Sequence, residues 1–238
     1  MGSASLFFAL RPKNAILADI NPDLVGTFLA VRDHPQAVAN RLRRIPLGKR
    51  SFYSVRDSLH PDMDAIDAAA SFIFLNRFCF NGLYRTNQAG RFNVPYGATG
   101  GMQLPTAAEL RRVAGALSIC TIKNSDFIEV LEETERGDFV YLDPPYAVGN
   151  RRVFKQYSSS SFGVEDLQRL AAGLRAIDRK GVAFVLSYAL CSEAMRFFKC
   201  WETRRVYVQR NIAGFAEHRR RAGEVLISNC FPAAVSRN

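Results

Sequence analysis

Apolar residues along this chain follow two rhythms, and the switch between them outlines an architecture. Ala15-Ile16-Leu17-Ala18 is a short unbroken apolar run ending at Asp19, which predicts a buried strand. Before it, Gly2-Ser3-Ala4-Ser5 leads into Leu6-Phe7-Phe8-Ala9-Leu10, a small-residue turn entering an apolar helix. Residues 23–44 keep helical spacing up to Pro46, and residues 62–79 repeat it with acids near the start, where the helix dipole favours them. Residues 83–94 change to alternation around Gln88-Ala89-Gly90, predicting a β-hairpin with a three-residue turn. Thr106-Ala107-Ala108-Glu109 is a capping box for a helix running to about Leu117.

From there strands and helices alternate. Strands are predicted over residues 118–122, Phe139–Leu142 and 182–186, with an amphipathic helix over 165–179 closed by Gly181 and a short helix over 192–198. Residues 204–210 and 224–229 read as two further strands that pair near a sheet edge. Buried strands separated by helices predict an α/β fold with a doubly wound, mostly parallel sheet. The region 34–112 breaks that rhythm with helices and a hairpin and reads as an inserted subdomain. That leaves 1–33 and 113–238 as one discontinuous domain.

Composition narrows the function. At 238 residues and 48% hydrophobic content the chain can bury one sizeable core and is not a disordered sequence. Its apolar stretches are too short to span a bilayer and no signal-peptide pattern opens it, so no membrane partner is expected. Cys79, Cys120, Cys191, Cys200 and Cys230 are scattered and odd in number, which predicts neither a disulfide framework nor a zinc site and fits a reducing cytoplasm. Lys and Arg number 32 against 22 Asp and Glu, a net charge of +10, with arginine clustered at 41–50, 204–210 and 219–221. Such a surface attracts polyanions, and the guanidinium fork suits phosphate.

The chemistry concentrates at predicted strand ends, where open α/β sheets bind ligands. The Gly2 turn lets backbone N–H groups approach a ligand. Asp19 stands where an acid meets ribose hydroxyls in dinucleotide folds, and Asp126-Phe127 can contact an adenine. Together they suggest a nucleoside-bearing cofactor, and the lack of a P-loop lysine disfavours a triphosphate. Asp143-Pro144-Pro145-Tyr146 follows the strand Phe139–Leu142. The Asp143 carboxylate and the Pro144 carbonyl can accept both protons of an exocyclic amine and free its lone pair for attack on a sulfonium methyl, while Tyr146 stacks on the ring. That is catalysis by positioning and electrostatics, without metal or covalent intermediate, and a base in a duplex must flip out first. The stretches 76–85 and 90–97 add arginine, asparagine and aromatics on one turn-rich unit, able to read a guanine edge or wedge a base step.

With these motifs in this order, the chain resembles the Dam family of DNA adenine-N6 methyltransferases. Met1 to Phe8 is similar to the family's cofactor-binding glycine motif, and Ala18-Asp19-Ile20-Asn21-Pro22-Asp23-Leu24 to its acidic strand end. Residues 80–97 resemble the target-recognition hairpin, Ser125-Asp126-Phe127 the adenine-contacting motif, and Asp143 to Tyr146 the catalytic motif. Phe154, Tyr157 and Phe162 match aromatics of the loop that follows. Ser187 matches a serine commonly followed by asparagine, where this chain has Tyr188.

The resemblance implies S-adenosylmethionine as methyl donor and a Rossmann-like methyltransferase sheet, with 34–112 as target-recognition subdomain. Its cofactor residues would be Gly2, Asp19, Asp126, Phe127 and Asp143. It further implies duplex DNA as substrate, a protein acting as a monomer on DNA, Arg85 as guanine reader, and Phe80, Asn81, Leu83 and Pro95 as neighbouring target contacts at a GATC-like site. Cytosine-N4 or RNA-base methylation shares the amine chemistry; Asp at position 143 leans to adenine. Family members carry about 40–60 residues, roughly a strand plus a helix and their loops, before the glycine motif inside which this chain starts. The expectation is therefore either an upstream start or a truncated, inactive DNA-binding relic.

Overall fold

Parallel strand pairs followed by helices recur in both halves of the chain. The computed structural model describes residues 1–87, 89–97, 101–145, 162–209 and 221–232, without the side chains of 193, 194, 207–209 and 221–223. These residues fall into two compact units, Met1–Asp126 and the residues from Phe127 onward. The fold is mixed α/β. Among the described residues no helix is long and apolar enough to cross a membrane.

The first unit runs α1 (Ser5–Leu10), β1 (Ala15–Asp19), α2 (Pro22–Asp33), α3 (Pro35–Arg43), α4 (Lys49–Asp57), α5 (Ala65–Phe78), a 3-10 turn (Phe80–Gly82), α6 (Ala107–Leu117) and β2 (Cys120–Asn124). β1 and β2 pair in parallel from Ala15 opposite Cys120 to Asp19 opposite Asn124. The single helix expected over 23–44 is two. Pro35 lacks an N–H and disfavours helical geometry at the residue before it, and His34 sits at φ −134°, ψ 49°. The polar, basic helix α4 was not anticipated. Its packing rests on Phe52, which is fully buried, a change worth about 1.5–3 kcal/mol for such a side chain.

α5 begins at Asp64, whose carboxylate accepts the amides of Ile66 and Asp67, and α6 begins with the expected Thr106–Glu109 capping box. β2 starts two residues later than expected because Ser118 finishes α6, its hydroxyl donating to the Gly115 carbonyl at 2.9 Å. One core, from Ala30 to Leu110, joins α3, α4 and α5 through Val38, Leu42, Phe52, Phe74 and Leu75. A smaller one packs Ala4 and Phe7 against Leu117 and Cys120.

The expected hairpin over 83–94 keeps its antiparallel course, but among the described residues its pairing is the isolated bridge Thr86–Phe92, with a second bridge, Cys79–Tyr96, outside it. Asn87 explains the loss of regularity: its Oδ1 accepts the amides of Ala89 and Arg91, both at 3.0 Å, and its carbonyl accepts the Gly90 amide at 2.9 Å. A side chain that satisfies backbone donors locally competes with strand pairing. Gln88, expected in this turn, lies outside the described residues.

The second unit contains α7 (Phe127–Glu132), β3 (Phe139–Leu142), α8 (Val164–Arg179), β4 (Ala183–Ala189), α9 (Ser192–Phe197), β5 (Glu202–Gln209) and β6 (Arg221–Ser228). The sheet order is β3-β4-β6-β5, with β3 and β4 parallel and β6 antiparallel to both β4 and β5. The predicted pairing of the last two strands is present, with β5 at the edge. α8 buries Leu167, Leu170, Ala171, Leu174 and Ile177, a helical stripe in one core with Phe184, Leu186 and Tyr188 of β4.

Candidate active site and target-recognition loop

In the first unit the strand ends gather three of the expected cofactor residues. Gly2 stands in a tight turn at φ +53°, closed by the Ala4 amide on the Met1 carbonyl at 3.0 Å. The Gly2 amide donates to Asp19 Oδ2 at 3.1 Å, the Met1 ammonium reaches the same oxygen at 2.9 Å, and the Asn21 amide donates to Oδ1 at 3.0 Å. Burial alone would raise the Asp19 carboxyl; these donors outweigh it and hold it below the ordinary carboxylate value. The end of β2 lies alongside, with Asn124 Nδ2 and the Ser125 amide both donating to the Asp19 carbonyl, at 3.0 and 3.2 Å. Asp126 follows immediately.

In the second unit Asp143 and Pro144 leave the end of β3. Leu142 pairs with Leu186, so Asp143 and Ser187 follow at the same end of the parallel β3–β4 pair. Asp143 is exposed, whereas Ser187 is buried. Partial burial pushes the neighbouring Tyr141 phenol up and the Asp143 charge adds to it, with a hydrogen bond from Ser187 opposing both. Tyr188, standing where the resemblance expects asparagine, is fully buried with its ring 6.4 Å from Phe198. It is a core residue. Phe127 opens α7, its ring 6.2 Å from Phe162 and 5.1 Å from the Arg169 guanidinium. Tyr146, Phe154 and Tyr157 lie outside the described residues, as do Arg210, Arg219 and Arg220.

The five expected target contacts sit on one loop system of the first unit. The Phe80 amide donates to the Pro95 carbonyl at 2.9 Å, and the Gly97 amide to the Phe78 carbonyl at 3.0 Å. Phe80 is 41% exposed, and Asn81 adopts the left-handed φ of +55° that turns the chain outward. The buried Cys79 thiol donates to the Asn76 and Leu83 carbonyls at 3.4 and 3.2 Å, and burial pushes its pKa up. Arg85 Nε donates to Asn93 Oδ1 at 2.8 Å, while the Asn93 amide returns to the Arg85 carbonyl at 3.0 Å. Phe80, Asn81, Leu83, Arg85 and Pro95 thus share one scaffold.

The basic cluster divides. Arg41 is paired with Asp67 and Arg43 with Asn40, while Arg43, Arg44, Lys49 and Arg50 are all exposed. Arg204 pairs with Glu202 and lies 4.3 Å over Phe231.

The sequence model of D12 class N6 adenine-specific DNA methyltransferases matches residues 1–220. The chain belongs to that class. Among its relatives are the type II methyltransferase M1.LlaDCHI of Lactococcus lactis subsp. cremoris, 29% identical over 238 residues that span 96% of this chain and 84% of the relative. The type II methyltransferase M.MjaIII of Methanocaldococcus jannaschii is 34% identical over 202 residues, 78% of this chain and 70% of its own. A DNA adenine methylase of Vibrio cholerae is 27% identical over 232 residues, 95% and 83% of the two chains.

Two residues of this adenine methyltransferase escaped the sequence reading. A turn centred on Ala89 sets position 85 opposite 93, so Asn93 was legible as the partner of Arg85. Tyr84 was not, because its partner is Asp23, 61 positions away.

Proposed function

We propose that this adenine-specific DNA methyltransferase takes its methyl group from S-adenosylmethionine and delivers it to N6 of an adenine flipped out of duplex DNA at a GATC-like site. The observation that carries the reading is Asp143-Pro144 at the carboxyl end of the parallel β3–β4 pair, where α/β sheets bind ligands. The family's doubly wound sheet and the assignment of 34–112 to target recognition belong to the same reading. They are supported by parallel pairs in each unit and by a core whose buried residues, apart from Ala30 and Val31, lie within 34–112.

The residues at Asp19 fit a nucleoside cofactor. A carboxylate offers about four lone-pair sites. Met1, Gly2 and Asn21 fill three, leaving an acceptor for a ribose hydroxyl at a strand end. Asp126 and Phe127 complete the proposed set, as hydrogen-bonding acid and apolar ring. When bound, S-adenosylmethionine supplies an electrophilic sulfonium methyl.

The chain's own work is to make adenine N6 a nucleophile. The N6 lone pair is delocalised into the ring; the Asp143 carboxylate and Pro144 carbonyl accept hydrogen bonds from the two N6–H groups and favour a tetrahedral nitrogen whose lone pair points outward, and one of those protons leaves to solvent once the methyl is bonded. Tyr146 stacks on the base to fix its plane. Arg85 reads a guanine with its fork of donors, and Phe80, Asn81, Leu83 and Pro95 hold the neighbouring steps.

The test is tritium transfer from labelled S-adenosylmethionine to duplex DNA, with mass analysis of the methylated nucleoside. N6-methyladenine is expected, reduced by about 10²–10³-fold in Asp143→Ala. Methyl on cytosine or on RNA alone, or no transfer by a folded, cofactor-binding protein, refutes the reading.

A further inference from the structure

Tyr84 links two parts of the first unit that lie far apart in sequence. Its hydroxyl donates to Asp23 Oδ2 at 2.8 Å, and its ring lies 5.5 Å from Phe72 and 5.8 Å from Phe92. Asp23 stands in the first turn of α2, its amide held by Asn21 Oδ1 at 3.0 Å, and the Asn21 amide is held by Asp19 Oδ1 at 3.0 Å. On the other side Tyr84 is bonded covalently to Arg85, which is itself fixed on Asn93. A continuous run of contacts therefore passes from Asp19 through Asn21, Asp23 and Tyr84 to Arg85. Partial burial, then the bond to Asp23 and its charge, push the phenol well above its ordinary value of 10.0, so the hydroxyl stays a donor at neutral pH.

We propose that Tyr84 is a positioning residue that ties the segment carrying Arg85 to the strand end carrying Asp19, so that nucleoside binding at Asp19 and base reading at Arg85 favour each other. This rests on the roles given to Asp19 and Arg85 under Proposed function. The physical route is local ordering. A ribose hydroxyl held by Asp19 would share that carboxylate with the Asn21 amide and would fix the turn that presents Asp23. Asp23 then holds Tyr84, and with it the backbone that aims Arg85. Coupling between two binding events is reciprocal, so it can be read from either side.

The experiment measures the affinity of sinefungin, a non-reactive amine analogue of the cofactor, with and without saturating target duplex. Alongside it, kcat/KM is compared on the target and on a duplex with one guanine replaced. In the wild type, target DNA should tighten sinefungin by about 5-fold or more. Tyr84→Phe keeps the ring and loses the hydrogen bond. Its ratio should fall towards one, and its guanine discrimination by roughly the same factor, with sinefungin affinity in the absence of DNA unchanged. Asp23→Asn still offers an oxygen and should retain both properties. Asp23→Ala breaks the bond from the other side, should reproduce Tyr84→Phe, and decides the matter if that variant does not fold.

Wild-type coupling and discrimination persisting in Tyr84→Phe and Asp23→Ala overturn the proposal, as does a wild type whose sinefungin affinity ignores target DNA. A wild type that shows coupled binding but transfers no methyl to adenine sinks the reading of function and leaves the linkage standing. A wild type that does not bind sinefungin overturns both.

Discussion

Gly97 sits against the backbone of Phe80 so closely that an added Cβ would lie 2.3 Å from the Phe80 Cα and 2.7 Å from its nitrogen. The neighbour is backbone and cannot swing away. Gly97→Ala must therefore push the Pro95–Gly97 segment off the start of the recognition loop, at about 1–3 kcal/mol. A urea midpoint lowered accordingly, with target affinity reduced, is the expected result; an unchanged midpoint contradicts this packing.

Arg85→Ala should relax discrimination at one guanine by about 1–3 kcal/mol while leaving cofactor affinity intact. The measurement is kcat/KM over a series of duplexes differing by single base pairs. An equal loss on every sequence would make Arg85 a phosphate contact instead.

Arg44, the residue that caps the end of α3, is exposed, whereas the charge of Arg41 is met by Asp67. Arg44→Ala should lower the slope of log affinity against log salt by about one. Arg41→Ala should lower it less, since its charge is already partly compensated. Titrations at several salt concentrations compare the two, and a larger effect from Arg41 refutes the assignment.

The Asp19 carboxyl is held below its ordinary value of 3.8, so its contribution to stability is fully present above that pH and is lost as pH falls through the lowered native value. Asp19→Asn should be less stable than the wild type near neutrality, and the gap should close on acidification below about pH 4. Urea midpoints along a pH series test this; a gap that stays constant into strong acid argues against a charged Asp19. The same substitution should weaken sinefungin binding.

Tyr188→Asn would install the residue that the resemblance expects, yet it should damage the protein. It empties a fully buried ring site beside Phe198 and places an amide there, at about 3–5 kcal/mol. Trp201, the chain's one tryptophan, lies in the same core and reports the unfolding by fluorescence. A stable Tyr188→Asn protein would show that the site can repack.

Much of the fold was legible because its signals are local. The Thr106 capping box, the stripe from Leu167 to Ile177 and the runs at Ala15 and Phe139 each commit a segment within a few residues. The misreadings have equally local causes. Pro35 divides a helix that the apolar spacing alone made continuous, and Asn87 draws backbone donors out of the expected hairpin ladder. Helix α4 was missed because the stretch is strongly polar and basic and fully buries one side chain, so its fold depends on where Phe52 finds a core.

The sequence by itself determined the chemistry on offer: an acid and a carbonyl after a strand at Asp143-Pro144, an acid at Asp19, and an arginine among aromatics at Arg85. Each follows from residue type and short-range pattern. Tertiary structure alone decided which distant groups meet. Asp178 accepts from Trp201 at 2.8 Å and from Asn229 at 2.8 Å, Tyr188 fills a core, and Tyr84 finds Asp23 across the fold. Such partners carry no sequence mark, because a hydrogen bond or a packed ring requires only that chain folding bring two surfaces within a few ångströms.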